Sequence, residues 1–191
     1  MNPQLVMLAG PNGAGKSTFY ARHLATSSLP FLNADLFAAK AGIEAKDAAA
    51  ILDASRDHMV ARRLGFITET VFSDPVGAKL DLLRRAIAAG YDVTLLFIGI
   101  ASPALSSLRI DQRIAEGGHD VPRDRLQRRH EASLANLAQA ITFVPTVHIY
   151  DNSTVEAPHR LIATYHDGER TFVVRDLPRW ARAVTRKLKR R

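Results

Sequence analysis

A glycine-rich octapeptide near the start of the chain constrains the fold more than any other feature. Residues 10–17 read Gly-Pro-Asn-Gly-Ala-Gly-Lys-Ser, which fits the pattern Gly-x-x-x-x-Gly-Lys-Ser. A short apolar run precedes it, and a helix-like segment follows it. In this setting the loop backbone directs its N–H groups at phosphate oxygens, and the helix N-terminus adds positive potential. The octapeptide therefore predicts a site for a nucleoside triphosphate.

The residue types in this loop suit a triphosphate and its metal ion. Lys16 supplies a mobile charge for the β- and γ-phosphates, and the hydroxyl of Ser17 is a ligand for Mg²⁺. The expected nucleotide-binding residues are Gly10, Asn12, Gly13, Ala14, Gly15, Lys16, Ser17 and Thr18. The chain lacks the Asn-Lys-x-Asp sequence that reads guanine, which favours ATP over GTP. It also lacks the Leu-Ser-Gly-Gly-Gln signature of ABC proteins.

Length and composition indicate one domain that spans residues 1–191. The chain has no cysteine, which excludes disulfides, thiolate zinc sites and cysteine nucleophiles. The first residues do not read as a signal peptide, and no apolar run approaches the about 20 residues that a membrane span needs. We therefore expect a cytoplasmic protein that does not enter a membrane.

The net charge of +7 is concentrated at the C-terminus. Residues 177–191 contain seven basic residues and no acidic one, so residues 1–176 are neutral. A basic protein surface is typical of nucleic-acid binding, and the neutral body argues against such a partner. The basic end itself is more typical of a solvated helix terminus than of a binding site.

Strand-like and helix-like segments alternate along the chain. Strands are predicted at residues 5–9, 31–35, 65–70, 92–100 and 146–151, and a hairpin at 161–165 and 170–174. Helices are predicted at residues 16–24, 43–64, 75–90, 103–116 and 123–140, with a last one that begins at Pro178. This alternation predicts a parallel five-stranded α/β sheet with flanking helices and a C-terminal β-hairpin.

Acidic residues follow two of the predicted strands, at the sheet edge where chemistry gathers in such folds. Asp35, at the end of the second strand, suits a base for an attacking hydroxyl or a water-mediated Mg²⁺ ligand. An equally good interpretation makes Asp35 the N-cap of a following helix. Glu69 and Thr70 end the third strand and suit a substrate contact, although a structural role for Glu69 is the better inference from its position alone.

The helices between residues 103 and 141 carry several arginines. Arg109 and Arg113 lie four apart on the first helix, and Arg128 and Arg129 lie on the second. Gly117 and Gly118 between the helices suit a hinge, so this helical pair is predicted to be a lid that places guanidinium groups on the migrating phosphoryl group. The alternative is a solvated helix pair with ordinary ion pairs.

Taken in order along the chain, these segments resemble the zeta-toxin family of P-loop kinases. The resemblance rests on the octapeptide, Leu32-Asn-Ala-Asp35, Glu69-Thr-Val-Phe-Ser73, Arg113-Ile-Ala-Glu-Gly-Gly-His-Asp-Val-Pro122, Arg128-Arg129, Ser133-Leu-Ala-Asn-Leu137 and Tyr150-Asp-Asn-Ser153. It implies a fold similar to nucleoside-monophosphate kinases. It also implies phosphoryl transfer from ATP to a small-molecule hydroxyl, which in the toxins is the sugar 3′-hydroxyl of UDP-N-acetylglucosamine.

The resemblance also implies a role for each matching residue. Lys16 would bind the phosphates, and Asp35 would be the base. Glu69 and Thr70 would face the acceptor, which we expect to be a small molecule with a hydroxyl. Arg113 and one of Arg128 or Arg129 would stabilise the γ-phosphate. Asn152 lies where the family approaches adenine.

The chain departs from the toxins at its start. The toxins carry helical structure ahead of the loop, which engages an antitoxin, whereas here one predicted strand precedes Gly10. This argues against an antitoxin partner and likens the chain to the short chromosomal branch, whose acceptor the resemblance does not fix. Two alternatives to a small-molecule kinase are a nucleoside or polynucleotide kinase and a non-enzymatic nucleotide-binding switch.

Overall fold

The structure is a computed structural model that describes residues 2–115 and 123–185. The strands in these residues are β1 (Gln4–Ala9), β2 (Phe31–Leu32), β3 (Phe66–Thr70), β4 (Asp92–Gly99), β5 (Thr146–Asp151), β6 (Arg160–His166) and β7 (Glu169–Val173). The helices are α1 (Lys16–His23), α2 (Ala34–Ala41), α3 (Ala45–Ala61), α4 (Ala78–Ala88), α5 (Pro103–Ala115), α6 (Arg123–Ala140) and α7 (Arg179–Val184).

All the described strands form one sheet in the order β2-β3-β1-β4-β5-β6-β7. The pairs from β2 to β5 are parallel, and β6 and β7 add antiparallel strands at one edge. This confirms the predicted parallel five-stranded sheet and the hairpin, and it shows that the hairpin continues the same sheet. Strand β1 lies between β3 and β4, with β2 and β3 on one side of it and β4 to β7 on the other. The loop that follows β1 therefore lies at the point where the strand order reverses, which is where ligands bind in such sheets.

Both faces of the sheet are covered, because the central strands are apolar on both sides. Along β4, Leu95 and Phe97 belong to the larger core with α4 and the end of α6. Leu96 and Ile98 point to the opposite face, where Phe19 of α1 packs on them. The glycine-rich loop is therefore held between two packed layers.

The second strand is shorter than predicted. Strand β2 ends at Leu32, and the side chain of Asn33 accepts a 2.9 Å hydrogen bond from the backbone N–H of Leu36. Asn33 is thus the N-cap of α2, because it satisfies an N–H that the helix cannot. The predictions that Asp35 ends a strand or caps a helix are both wrong, since Asp35 lies in the first turn of α2.

The end of the described chain packs on the sheet. Trp180 of α7 is buried, and its indole N–H donates a 2.9 Å hydrogen bond to Asp151 at the end of β5. The backbone carbonyl of Thr185 accepts a 2.6 Å hydrogen bond from Nη1 of Arg170 of β7. None of the described helices has both the length and the apolar character that a membrane span requires. The remainder of the basic C-terminal segment lies outside the described residues.

Candidate active site

The glycine-rich loop of residues 10–15 curls tightly between β1 and α1. The backbone N–H of Ala14 bonds to Pro11 O at 3.3 Å, and Gly15 takes a left-handed φ of 87° as the N-cap of α1. A Cβ at Gly15 would lie 2.4 Å from Nδ2 of Asn152. Only glycine fits both this φ angle and the close approach of Asn152, so Asn152 packs directly against the loop backbone.

Lys16, the first residue of α1, folds back over the loop. Its Nζ donates to Gly10 O at 3.0 Å and to Pro11 O at 3.1 Å, and it lies 3.8 Å from Oε1 of Glu69. The side chain is 7% exposed. A lysine at the start of the helix that folds back over its glycine-rich loop is the arrangement that binds terminal phosphates in such motifs.

Glu69 connects three parts of the site. Its Oε2 accepts from Nδ2 of Asn33 at 2.8 Å and from Oγ of Ser17 at 3.4 Å, while its Oε1 faces Lys16. The strand register explains why these groups meet, because β3 runs beside β1 and sets Glu69 opposite Leu8, two residues before the loop begins. Glu69 therefore lies on the phosphate side of the site, and Thr70 follows it along the cleft.

Asp35 projects from the first turn of α2 into the same cleft. The side chain of Asp35 is exposed. Asn33 caps the helix, so the carboxylate of Asp35 is not needed as the cap. Asp35 is therefore available to a bound molecule.

A two-residue clamp holds the loop from behind. Nδ2 of Asn152 donates to Ala14 O at 2.8 Å, and Nε2 of His159 meets Gly15 O at 3.1 Å. The backbone N–H of His159 donates to Oδ1 of Asn152 at 3.2 Å, which ties the two together. The amide of Asn152, implied to approach adenine, is thus engaged with the loop.

His159 is an unusual residue in two respects. It has a left-handed φ of 53°, and its Nδ1 is buried without a hydrogen-bond partner among the described residues. Burial lowers the pKa of His159, and nearby positive charges on His23, Arg22 and Arg109 lower it further, against the opposing effect of the bond to Gly15. The neutral imidazole is the form that fits this site, with its proton on the nitrogen that faces Gly15.

The predicted lid helices contribute unequally to the site. Ser106 Oγ of α5 donates to Asn12 O, and Nη1 of Arg109 donates to Gly13 O at 3.4 Å. On α6, Arg129 lines the cleft, whereas Arg128 is exposed and is not part of the lining. The side chain of Arg113 and the proposed hinge at residues 117–118 lie outside the described residues.

One cleft of about 840 Å³ joins these groups. One end is the glycine-rich loop. The other end, which we call the acceptor wall, consists of Ala45, Ala49, Asp53 and Arg56 on α3 with Asp74, Pro75 and Lys79 before and within α4. Asp35, Glu69 and Thr70 line the same cleft.

The sequence reasoning missed three residues of this site. Asn33 carried a signal, because an Asn three residues before Leu36 is a common cap. Arg56 also carried a signal. It lies four residues from Leu52 and from Val60, so it is a charged residue on the apolar face of a helix. His159 had none, since its position depends on the packing of a turn against the loop.

A sequence profile of the zeta toxin family matches residues 38–170. No relative is found among curated proteins at the sequence level.

Solved structures with the same fold include other toxin-like proteins and kinases. The chain is similar to AvrRxo1-ORF1 in its complex with AvrRxo1-ORF2 and ATP, at 14% identity and a TM-score of 0.69, over 89% of this chain and 60% of that one. It is similar to a structure of the PezAT chromosomal toxin–antitoxin system of Streptococcus pneumoniae, at 14% identity and a TM-score of 0.64, over 85% and 72% of the chains. A putative kinase from Chloroflexus aurantiacus matches at 21% identity and a TM-score of 0.51, over 67% and 77%.

The chain spans about 60% of the length of the AvrRxo1-ORF1 structure. These likenesses show a P-loop kinase fold, and the sequence profile covers well over half of the chain. This protein belongs to the zeta toxin family.

Proposed function

We propose that the protein is an ATP- and Mg²⁺-dependent kinase that transfers the γ-phosphoryl group to a hydroxyl of a small molecule. The observation that carries the proposal is the single cleft in which the phosphate-binding loop and Asp35 face the same space. A donor at the loop and an acceptor at the acceptor wall would then meet beside Asp35. UDP-amino sugars are the first acceptors to test, because the resemblance to the toxins implies them.

The residues of the loop suit the donor. Lys16 and the loop N–H groups would hold the β- and γ-phosphates, and Arg129 lines the cleft from which a guanidinium would reach the γ-phosphate. Asn152 and His159 would support this end of the site by fixing the loop carbonyls. Arg113 remains a predicted partner of the γ-phosphate.

The donor set also fits Mg²⁺. The hydroxyl of Ser17 and the carboxylate of Glu69 are hard oxygen ligands that lie 3.4 Å apart. Within the part of the chain that the structure describes, no cluster of three or more His, Cys, Asp or Glu residues could enclose a metal ion. This suits an ion bound through phosphates and few protein oxygens. When bound, Mg²⁺ neutralises charge on the phosphates.

The transfer itself requires a base near the acceptor hydroxyl. Asp35 would accept the proton of that hydroxyl while its oxygen forms a bond to the γ-phosphorus and the bond from γ-phosphorus to the bridging oxygen breaks. ADP leaves with the electron pair of the broken bond. Positioning and charge neutralisation carry most of such a reaction, so the base contributes by orientation as much as by basicity.

The test is to incubate the protein with labelled ATP, Mg²⁺ and a panel of UDP-sugars, nucleosides and small sugars. We expect a phosphorylated small molecule, and Asp35→Asn to bind ATP normally while transfer falls about 100-fold or more. Asp81→Asn, an exposed acid on α4 outside the cleft, is the matched control. Unchanged turnover in Asp35→Asn would remove Asp35 from the mechanism, and slow hydrolysis without any acceptor would favour a nucleotide switch.

A further inference from the structure

A buried arginine fixes one carboxylate of the acceptor wall relative to the catalytic end of β3. Arg56 is 4% exposed, and its Nε donates to Oγ1 of Thr68 at 2.7 Å. Its Nη1 donates to Oδ1 of Asp53 at 2.6 Å, and its Nη2 reaches the carbonyl of Glu69 at 3.4 Å. One guanidinium therefore spans the distance from Asp53 to the backbone of Glu69.

A second cation holds the same oxygen. Nζ of Lys79 also donates to Oδ1 of Asp53, and the Lys79 side chain is 15% exposed. Burial alone would raise the pKa of Asp53, but the bonds and charges of Lys79 and Arg56 outweigh it and lower the pKa. Asp53 is thus ionised and can only accept hydrogen bonds.

Asp53 lies on the face of α3 that lines the cleft. Ala45, Ala49 and Asp53 recur every four residues, so they share the face of α3 that lines the cavity. The two alanines leave open space, and the Asp53 side chain is 52% exposed. Both bonds from the cations go to Oδ1, so neither engages Oδ2.

We propose that Asp53 is a specificity-determining residue that accepts a hydrogen bond from a second hydroxyl or N–H group of the acceptor. The inference rests on the proposed function, which gives the acceptor this end of the cleft. Arg56 and Lys79 act as positioning residues that orient the carboxylate.

The charges of the acceptor wall indicate the chemical class of that acceptor portion. Asp53 and Asp74 balance Arg56 and Lys79, so the wall is neutral. A wall for phosphate would carry unbalanced cations. The portion bound here is a neutral ring with several hydroxyl groups, such as a sugar or a cyclitol, whatever else the rest of the acceptor carries.

The test measures binding, so that it does not depend on turnover. Glucose, N-acetylglucosamine and myo-inositol are titrated into the full chain with MgADP present, together with mono-deoxy analogues of each. We expect at least one polyol to bind the wild type, and one of its deoxy analogues to bind about 10- to 100-fold more weakly, since a hydrogen bond to a charged group is lost. In Asp53→Asn the parent polyol and that analogue should bind within about threefold of each other.

The analogue comparison separates recognition from folding. A purely structural Asp53 would weaken parent and analogue equally in Asp53→Asn and leave their ratio unchanged, which would overturn the inference. Failure of every polyol to bind the wild type would also overturn it. Asp57→Asn, one turn further along α3 and paired with Arg85 outside the cleft, is the matched control and should keep the wild-type ratio.

A second variant guards against loss of the fold. Asp53→Glu keeps the charge between Arg56 and Lys79 but moves the oxygens by one methylene, so it should keep the unfolding midpoint and change the preferred analogue. Binding of a polyol without phosphoryl transfer to any acceptor would contradict the proposed kinase and leave Asp53 recognition standing. Phosphoryl transfer combined with an unchanged ratio of parent to analogue binding in Asp53→Asn would support the proposed kinase and contradict recognition by Asp53.

Discussion

The side-chain amide of Asn33 donates a 2.8 Å hydrogen bond to the carboxylate of Glu69 across the ends of β2 and β3. The oxygen of the same amide caps α2. One residue therefore starts the helix that carries Asp35 and orients the acid beside Ser17. The acceptor side and the phosphate side of the cleft share this single side chain.

We expect Asn33→Asp to separate these two tasks. Aspartate keeps the capping oxygen, so the helix should be retained, but it replaces a donor with a second carboxylate next to Glu69. Phosphoryl transfer should fall at least tenfold, and repulsion between the two nearly buried carboxylates should lower the unfolding midpoint although the cap is kept.

Asn33→Ala removes both interactions, and its loss of the cap should lower the free energy of unfolding by about 1 kcal/mol. Thermal unfolding and steady-state kinetics on the two variants provide the comparison. Equal activity in Asn33→Asp and the wild type would show that the bond to Glu69 has no role in transfer.

A pair of glycines tests how tightly the phosphate loop is packed. Gly15 and Gly42 both have left-handed φ angles, of 87° and 65°. A Cβ at Gly42 would meet nothing within 4 Å, so Gly42→Ala should cost only the conformational term of about 1–2 kcal/mol. Gly15→Ala adds a clash with Asn152, worth a further 1–3 kcal/mol or so.

Chemical denaturation gives both free energies, and ATP titration gives the functional effect. We expect Gly15→Ala to lose ATP binding and Gly42→Ala to keep it. Equal stability of the two variants would mean that the clamp residues move away without cost.

The clamp should make ATP affinity depend on pH. The pKa of His159 is lower in the folded protein than its unfolded value of about 6.5, so the unfolded chain takes up a proton more readily. The stability from His159 is therefore fully present above that value and is lost as the pH falls toward the folded pKa. A proton on the buried Nδ1 would also place an unpaired charge beside the loop.

We expect the Kd for ATP to rise more steeply between pH 7.5 and 5.5 in the wild type than in His159→Asn, since Asn also tolerates a left-handed φ. His148, whose pKa burial also lowers, is the matched control on β5. His148→Asn should flatten the pH dependence of stability but keep that of the Kd. Parallel Kd profiles for the wild type and His159→Asn would contradict the role of the clamp.

Adjacent arginines on α6 should differ in their effect on turnover. Arg129 lines the cleft and Arg128 is exposed outside it. Removal of a guanidinium that stabilises the migrating phosphoryl group costs about 10²–10³-fold in rate. We expect Arg129→Ala to lower kcat by this amount and Arg128→Ala to change it less than threefold, measured with whichever acceptor the labelled-ATP panel yields. The opposite pattern would assign the γ-phosphate contact to Arg128.

The sequence predicted those parts of the site that depend on local pattern. Loop residues such as Lys16 and Ser17 follow one another along the chain, so their arrangement was readable from their order. The location of Asp35 was not, because a strand end and a helix start differ by one capping bond from Asn33. Arg56 and His159 depend on contacts between distant segments, and only the assembled sheet brings Arg56 to Thr68 or His159 to Gly15.

The turn between β5 and β6 grips the phosphate loop and also begins the antiparallel edge of the sheet. Asp151, immediately before it, anchors Trp180 of α7. Contacts of residues 151–160 thus connect the nucleotide end of the cleft to the outer edge of the sheet. If binding at β7 or α7 shifts this turn, it would change the affinity for nucleotide by the same factor by which nucleotide changes the affinity at β7 or α7, because coupling between two binding sites is reciprocal.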